Sequence, residues 1–362
     1  ANNQGKTALH LVCDAPQQYS DLVKTMLDKK FHVNVVDTTK KWTPLMYAVK
    51  KGYDATVSRL VNYTLTSDNF GTKENDAPDY LNHKGSDNKS ALYLAAENGS
   101  VEIVNTLLNA VGVGINQRNV AGKTAFMAAC ENGHNEVARR LRTGGAIATL
   151  TDNDGRTALH LATSNDKLVV EWLIETYPDL IDLTDGPPDG PGRTAFWIAC
   201  SNGFYSTAGQ LKEAGADIML ADSNGNTPLH AAAMNGRNHI VENILLAFAP
   251  GLPGELLIDI DAQNNQGETA LLKACKKVRQ SHLGEPTTLL NIVERLLQRG
   301  ANIWIPDAGG ALPFFEALGH GNLTEKFTAV GFTVNSVDNQ GRTALIYAAN
   351  WGKRAVIVRL LN

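Results

Sequence analysis

A short phrase returns ten times along this chain. No other feature restricts the fold as tightly, because a recurring phrase of near-constant spacing means one structural unit stacked on copies of itself. The phrase reads GKTALH at 5–10, WTPLMYA at 42–48, KSALYLAA at 89–96, GKTAFMAAC at 122–130 and GRTALHLA at 155–162. It returns as GRTAFWIAC at 192–200, GNTPLHAAA at 225–233, GETALLKAC at 267–275 and GRTALIYAA at 341–349, with a worn copy, GALPFFEAL, at 310–318. Its Thr, or the residue standing in for it, falls at 7, 43, 90, 124, 157, 194, 227, 269, 312 and 343. The intervals are 36, 47, 34, 33, 37, 33, 42, 43 and 31, so the unit is about 33 residues and the longer intervals carry insertions.

Each unit can be read locally. Asp222-Ser223-Asn224-Gly225-Asn226-Thr227 is turn chemistry. Thr227 stands where a helix N-cap belongs, and Pro228 occupies the first helical position, where its missing N–H costs nothing. A helix of small residues runs from Leu229 to Met234, and Asn235-Gly236 is a left-handed stop. A second helix carries Ile240, Val241, Ile244 and Leu245 at helical spacing, and in neighbouring units it ends in LRTGGA (141–146), LKEAGAD (211–217) or LLQRGAN (296–302). A unit this short cannot bury its own apolar face, so stability must come from interfaces between neighbours. The small pairs Ala95-Ala96, Ala128-Ala129 and Ala232-Ala233 let successive first helices approach closely.

The phrase T-[PA]-L-H-x-A, then Gly, a second helix, L-L-x-x-G-A-D and the next turn, resembles the ankyrin-repeat family, and the resemblance covers essentially the whole chain. Units seven (222–250) and four (119–149) match best; unit nine (307–334) departs most, because Leu312 replaces the capping Thr and Gly319-His320-Gly321 loosens the first helix end. The resemblance implies an all-α solenoid: antiparallel helix pairs stacked side by side, with projecting β-hairpin fingers. It also implies one continuous domain over 1–362, with insertions at 64–81, 249–258 and 277–288 and a degenerate repeat at 307–334. The chain opens ANNQGKTALH and closes on an apolar last helix, which reads as a piece of a longer protein.

Composition narrows the function. Lys plus Arg number 33 against 37 Asp plus Glu, a formal charge of −4, whereas gripping phosphates needs a clustered positive excess; nucleic acid is not an expected partner. No run of about 18 apolar residues occurs, so no membrane insertion is expected. Cys13, Cys130, Cys200 and Cys275 each lie six residues after their Thr, in one buried register of non-adjacent repeats; they are read as unbridged core thiols, suited to a reducing, cytoplasmic location. His10, His160 and His230 lie three after the Thr. The resemblance makes these the imidazoles that tie the turn to neighbouring backbone, and no metal or cofactor is expected. GKT at 122–124 echoes a phosphate loop, but Gln117 stands where that motif needs Gly. No nucleophile–base set or carboxylate pair can be assembled by spacing, so the chain is read as no enzyme.

Two features stand above this background. The residue just before the Thr should line the inner edge of a groove, and it reads Lys6, Trp42, Lys89, Lys123, Arg156, Arg193, Asn226, Glu268, Ala311, Arg342. Four consecutive cations, Lys89, Lys123, Arg156 and Arg193, form a stripe that would steer an acidic peptide or protein. Trp42 is an exposed aromatic by register and a candidate hot spot, as is Trp351. The ends of the first helices add Lys50, Lys51, Glu97, Glu131, Ser164, Ser201, Met234, Lys276, Lys277 and Asn350. The second feature is the set of insertions, since loops often carry binding. The expected function is a monomeric, non-catalytic protein-recognition scaffold; the alternative is a regulatory or targeting arm of a larger enzyme, channel or effector.

Overall fold

The structure is a computed structural model. It describes residues 1–16, 18–66, 80–163, 168–187, 190–246, 258–280, 287–317, 321–333, 335–337, 340–350, 354 and 357–358, the side chains of 64–66, 321, 322, 324 and 325 excepted. Ser164, Trp351 and the centres of all three insertions (67–79, 247–257, 281–286) lie outside the described residues. The chain divides into two compact units, Ala1–Leu173 and Ile174–Asn362.

Both units are all-α, and among the described residues there is no β-strand. In the first, the first helices of successive repeats pack side by side: Ala8–Asp14, Pro44–Lys51, Ala91–Asn98, Ala125–Glu131 and Ala158–Thr163. The second helices Ser20–Asp28, Asp54–Thr66, Val101–Leu108 and Asn135–Thr143 form a parallel row behind them. In the second unit the first helices are Ala195–Asn202, Pro228–Met234, Ala270–Gln280 and Pro313–Ala317, with Ala344–Asn350 following in repeat ten. Their second row is Tyr205–Glu213, Asn238–Leu246, Thr287–Gln298 and Gly321–Ala329. This is the helix-pair solenoid that the repeat spacing predicts.

The caps form as read. The hydroxyls of Thr7, Thr43, Ser90, Thr124, Thr194 and Thr227 each accept from the backbone N–H three residues on. Ala95, Ala129, Ala232, Ala233 and the four cysteines are fully buried, and burial pushes the Cys13 thiol up to about 12. In repeat eight the residues from 277 to 280 are not an insertion between helices. The first helix continues through Gln280, because Val278 keeps the apolar period after Cys275 and no Gly stops it. Repeat nine keeps its finger, and its first helix is described over Pro313–Ala317, starting one residue after Leu312, which offers no capping oxygen. An aromatic cluster packs there: Phe314 stacks on Phe332 at 3.5 Å and meets Phe327 edge-on at 5.5 Å.

The fingers are hairpin turns and not strand ladders. Their arms are short, and most close on two backbone bonds at one residue: Asp152 donates to the Arg156 carbonyl at 3.0 Å and accepts from Gly155 at 3.1 Å, and Asp222 donates to the Asn226 carbonyl at 2.9 Å and accepts from Gly225 at 2.8 Å. One side-chain oxygen holds the loop. Oδ1 of Asn2, Asn119, Asp152, Asp222, Asn264 and Asp307 accepts from the N–H two and four residues on. The fingertip is left-handed. Gly225 has φ +75°, and a Cβ there would stand 2.6 Å from Asn265 Oδ1 of the next finger. Lys41 and Asn88 take this place in repeats two and three, both at φ +56°.

Successive repeats are joined by backbone and imidazole. Thr38 N–H donates to the Gln4 carbonyl (2.9 Å), Asn153 to Ala121 (3.0 Å), Asn265 to Asn224 (2.9 Å) and Ala308 to Gln266 (2.9 Å). His10 accepts from Thr7 at Nδ1, and its Nε2 donates to the Trp42 carbonyl at 3.0 Å; His230 does the same between Thr227 and the Glu268 carbonyl at 2.9 Å. Repeat six has Trp197 at this position, and its Nε1–H donates to the Asn226 carbonyl at 2.8 Å.

Two expectations follow. Lys41→Gly removes a left-handed, Cβ-bearing tip and should stabilise the chain by about 1 kcal/mol in chemical denaturation. Burial holds His10 and His230 below the ordinary histidine value, despite their carbonyl partners. The folded chain therefore binds fewer protons than the unfolded chain, whose histidines titrate near ~6.5. Stability should be full above that value and fall as pH drops below it, on the order of 1 kcal/mol from pH 7 to 5.5. Melting curves across that range should show the fall, and His10→Asn with His230→Asn should flatten it.

Candidate functional site

The side chains singled out in the fingers and those singled out at the first-helix ends meet one another. A first helix of seven residues is about 10 Å long, a span that a lysine and a carboxylate reaching toward each other can close. Lys6 Nζ lies 2.7 Å from Asp14 Oδ2, Lys89 Nζ 2.9 Å from Glu97 Oε1, and Lys123 Nζ 2.7 Å from both Glu131 oxygens. Each pair joins the residue before the Thr to the residue seven after it. In repeat eight the signs exchange: Glu268 stands on the finger and Lys276 on the helix, 2.7 Å apart, and Lys276 also reaches Asp307 at 2.6 Å.

Where the helix position is not acidic, the finger supplies the counter-ion. Repeats five and six have Ser164 and Ser201 there. Arg156 instead grips Asp152 through Nε (3.0 Å) and Nη2 (2.8 Å), with Asp154 at 2.9 Å. Arg193 grips Asp185 through Nε (3.1 Å) and Nη2 (2.7 Å). The Asp152 and Asp185 side chains are only 1% exposed, and in each pair two N–H groups of a partly exposed arginine converge on one oxygen of a buried carboxylate. Every cation of the stripe thus has a carboxylate beside it.

The titration shifts follow. Partial burial pushes the Glu97 carboxyl up, but Lys89 and Lys50 outweigh it and hold it below the usual range. Burial likewise opposes ionisation of Glu268, yet Lys276, Asn264 and Lys273 bring it down to about 2. Burial disfavours the Arg156 and Lys276 charges, and their carboxylate partners raise both above their ordinary values.

Other expected contact residues join neighbouring repeats. Lys50 Nζ lies 3.3 Å from Glu97 and 3.1 Å from the Asn98 side-chain oxygen; Lys51 lies 3.6 Å from Asp14. The Ser201 hydroxyl accepts from Asn235, and its carbonyl accepts from Arg237, both at 3.0 Å. Met234 is half-buried.

Two expectations are corrected. Trp42 is not an exposed anchor: it is 7% exposed, sits edge-on to Tyr47 at 5.2 Å, and lies under the next finger at Gly85, where a Cβ would come within 2.6 Å of the indole. Gly85 has no side chain to keep the indole out. Asn226 is not a groove residue either; it is buried, bonded through its amide to Asp222 and through its Oδ1 to Asn264 at 2.9 Å.

Sequence reading missed Trp197 as the replacement for the linking histidine, although its place three after Thr194 marks it. It also missed a cleft of about 400 Å³ between the second helices of repeats six and seven, lined by Gly203, Tyr205, His239, Glu242, Asn243 and Leu246. Among the described residues no three His, Cys, Asp or Glu side chains are placed to hold a metal ion, and no helix is long and apolar enough to cross a membrane.

Comparison with known proteins fits this geometry. A family model described as ankyrin repeats (three copies) matches residues 9–119, 92–185, 178–252 and 196–307. The chain is 36% identical over 162 residues to the probable E3 ubiquitin-protein ligase XBOS32 of Oryza sativa subsp. japonica, covering 43% of the chain and 30% of that protein. It is 26% identical over 237 residues to NF-kappa-B inhibitor zeta of Mus musculus, covering 58% and 32%. It is 27% identical over 166 residues to transient receptor potential cation channel subfamily A member 1 of Homo sapiens, covering 45% and 14%. The chain spans about a third or less of the length of these relatives.

The pairs differ in desolvation, and so should their removal. Arg156→Met strands the buried Asp152 carboxylate and should cost about 2 kcal/mol in denaturant unfolding. Lys123→Met uncovers the better-hydrated Glu131 and should cost about 0.5–1 kcal/mol. Equal costs would mean that burial of the partner does not set the strength of these pairs.

Proposed function

This chain belongs to the ankyrin-repeat family, and from that premise we propose that it is a non-catalytic scaffold that holds a protein or peptide partner along its fingers and first-helix ends. Ankyrin repeats make it a protein-interaction module. The observation that carries the finer reading is the contrast between backbone and side chain. Most fingers share one bonding pattern, while the residue before the Thr and the residue seven after it change type and sign from repeat to repeat. A fixed frame with variable, partly exposed polar positions suits recognition of another protein's surface.

The partner's face is acidic in this proposal, and the pairing alters how it would be recognised. Lys89 and Lys123 already hold Glu97 and Glu131, so an acidic partner would compete for lysines already engaged. Recognition then rests on close-range exchange of carboxylates more than on long-range attraction. The four cysteines, unbridged and buried, favour a cytosolic location. The overall acidic balance speaks against nucleic acid as the ligand.

A second reading is a regulatory or targeting arm of a larger enzyme or channel. It is favoured by what the relatives are, a probable ubiquitin ligase and a cation channel, of which this chain spans only part.

Exchanging partners within pairs tests the scaffold reading without breaking the frame. In a chain carrying Lys123→Glu and Glu131→Lys the ion pair persists with inverted sign, as repeat eight already has it, and the Lys89–Glu97 pair is left intact because Lys50 and Asp87 also lie on it. Proteins captured from a cell lysate and identified by mass spectrometry should differ between the two chains while the melting temperature stays within a few degrees. Capture of the same set at the same yield by both would overturn these positions as the binding face.

A further inference from the structure

We infer that an acidic, extended segment of a partner docks along the flank of fingers two to four, on four cations separate from the paired stripe. The inference rests on the scaffold reading and adds where an acidic partner meets uncancelled charge. Lys40 and Lys41 form the tip of finger two, and Lys84 and Arg118 stand one residue before the turns of fingers three and four. Lys40, Lys41 and Arg118 are exposed, and Lys84 is half-buried. None of the four has a carboxylate partner among the described residues. Asp37 is buried with its oxygens on backbone N–H groups, and Asp87 pairs with Lys89 at 3.7 Å, so neither serves them.

The backbone brings the four together. Asp37 N–H donates to the Trp42 carbonyl at 3.1 Å, whereas Gly85 closes on Lys89 and Asn119 on Lys123, both at 3.0 Å. Finger two is thus one residue longer, and its tip gains a second lysine. Finger three lies against that tip: Ser86 N–H donates to the Lys40 carbonyl at 2.7 Å, and His83 Nε2 donates to the Lys41 carbonyl at 2.6 Å. Lys84 Nζ donates to the Arg118 carbonyl at 3.3 Å, which carries the band to finger four. The place of Lys84 and Arg118 is taken by Thr151, Thr184, Ala221, Gln263 and Pro306 in repeats five to nine, so the band ends there. Lys40 Nζ rests 4.4 Å from the centre of the Trp42 ring. A ring face or a carbonyl orients an ammonium and leaves its charge in place, whereas the carboxylates of the stripe cancel theirs. Helices of neighbouring repeats pack about 10 Å apart. Three fingers therefore span about 20 Å, the reach of about six extended residues. The segment that fits carries a carboxylate on about every third residue.

Fluorescence anisotropy with a labelled octaglutamate peptide tests this. The wild-type chain should hold the peptide at low salt and release it as salt rises. A chain carrying Lys41→Gln, Lys84→Gln and Arg118→Gln should bind about tenfold more weakly. Lys41 and Arg118 are exposed, and Gln263 already fills the place of Lys84 in repeat eight and donates to the Pro306 carbonyl at 3.2 Å, so circular dichroism should report an unchanged fold. A second chain with Lys123→Gln and Glu131→Gln loses a stripe cation together with its carboxylate and should bind within about twofold of wild type. No binding by wild type at low salt overturns the proposal, as does equal binding by the flank variant or a larger loss in the stripe variant. The scaffold reading stands or falls separately, on whether lysate capture changes when the Lys123–Glu131 pair is exchanged.

Discussion

A single side-chain oxygen underlies the rest of the structure. In six of the described fingers an Asp or Asn Oδ1 accepts two backbone N–H groups, two and four residues on. This fixes the loop, sets the left-handed tip, and delivers the chain into the next residue, which in every one of these fingers but that of repeat nine is a Thr whose own oxygen caps the first helix. The finger is thereby a rigid object with its carbonyls and amides aimed at the next finger. Hairpins with arms this short have little intrinsic stability, so the side-chain bond does work that a ladder would otherwise do. Because each finger presents the same donors and acceptors, the stack propagates one repeat at a time.

The same constraint explains where substitution is tolerated. At the link three residues after the Thr, the need for a ring N–H aimed at the next finger's carbonyl arises in three repeats, while Met46, Met127 and Leu272 stand there in others. Histidine meets it in repeats one and seven and the indole of Trp197 meets it in repeat six, so chemistry is kept while residue type changes. At the residue before the Thr the requirement is looser. Lys, Arg and Glu are all accommodated, provided a carboxylate or ammonium lies within reach on the helix end or on the finger itself.

Much of this was legible in the sequence. The Thr caps, the helix pair and the shared burial of the four cysteines follow from spacing within a repeat, whereas the linking role of His10 and His230 was legible only through the family resemblance, since each bonds to the next repeat. What was not legible depends on the neighbouring repeat. Register placed Trp42 on the finger, but its burial depends on Gly85, 43 residues away and lacking a side chain. The stripe was visible, yet its neutralisation required comparing the residue before the Thr with the one seven after it. Lys89 with Glu97 and Lys123 with Glu131 satisfy that rule, and the serines at 164 and 201 announce that Arg156 and Arg193 must find other acids. The continuation of the repeat-eight helix through Gln280 was hidden because the missing Gly stop was read as a loop.

The central claim is that the finger-to-finger bonds hold the stack in register, though they lie at exposed turns. Native-state hydrogen exchange at the Asn153, Asn265 and Ala308 amides measures this directly, since each is bonded only across a repeat boundary. The account predicts exchange slowed by orders of magnitude, together with the helix amides on either side. Exchange of these amides at the rate of an unstructured peptide, with the helices still protected, would contradict it.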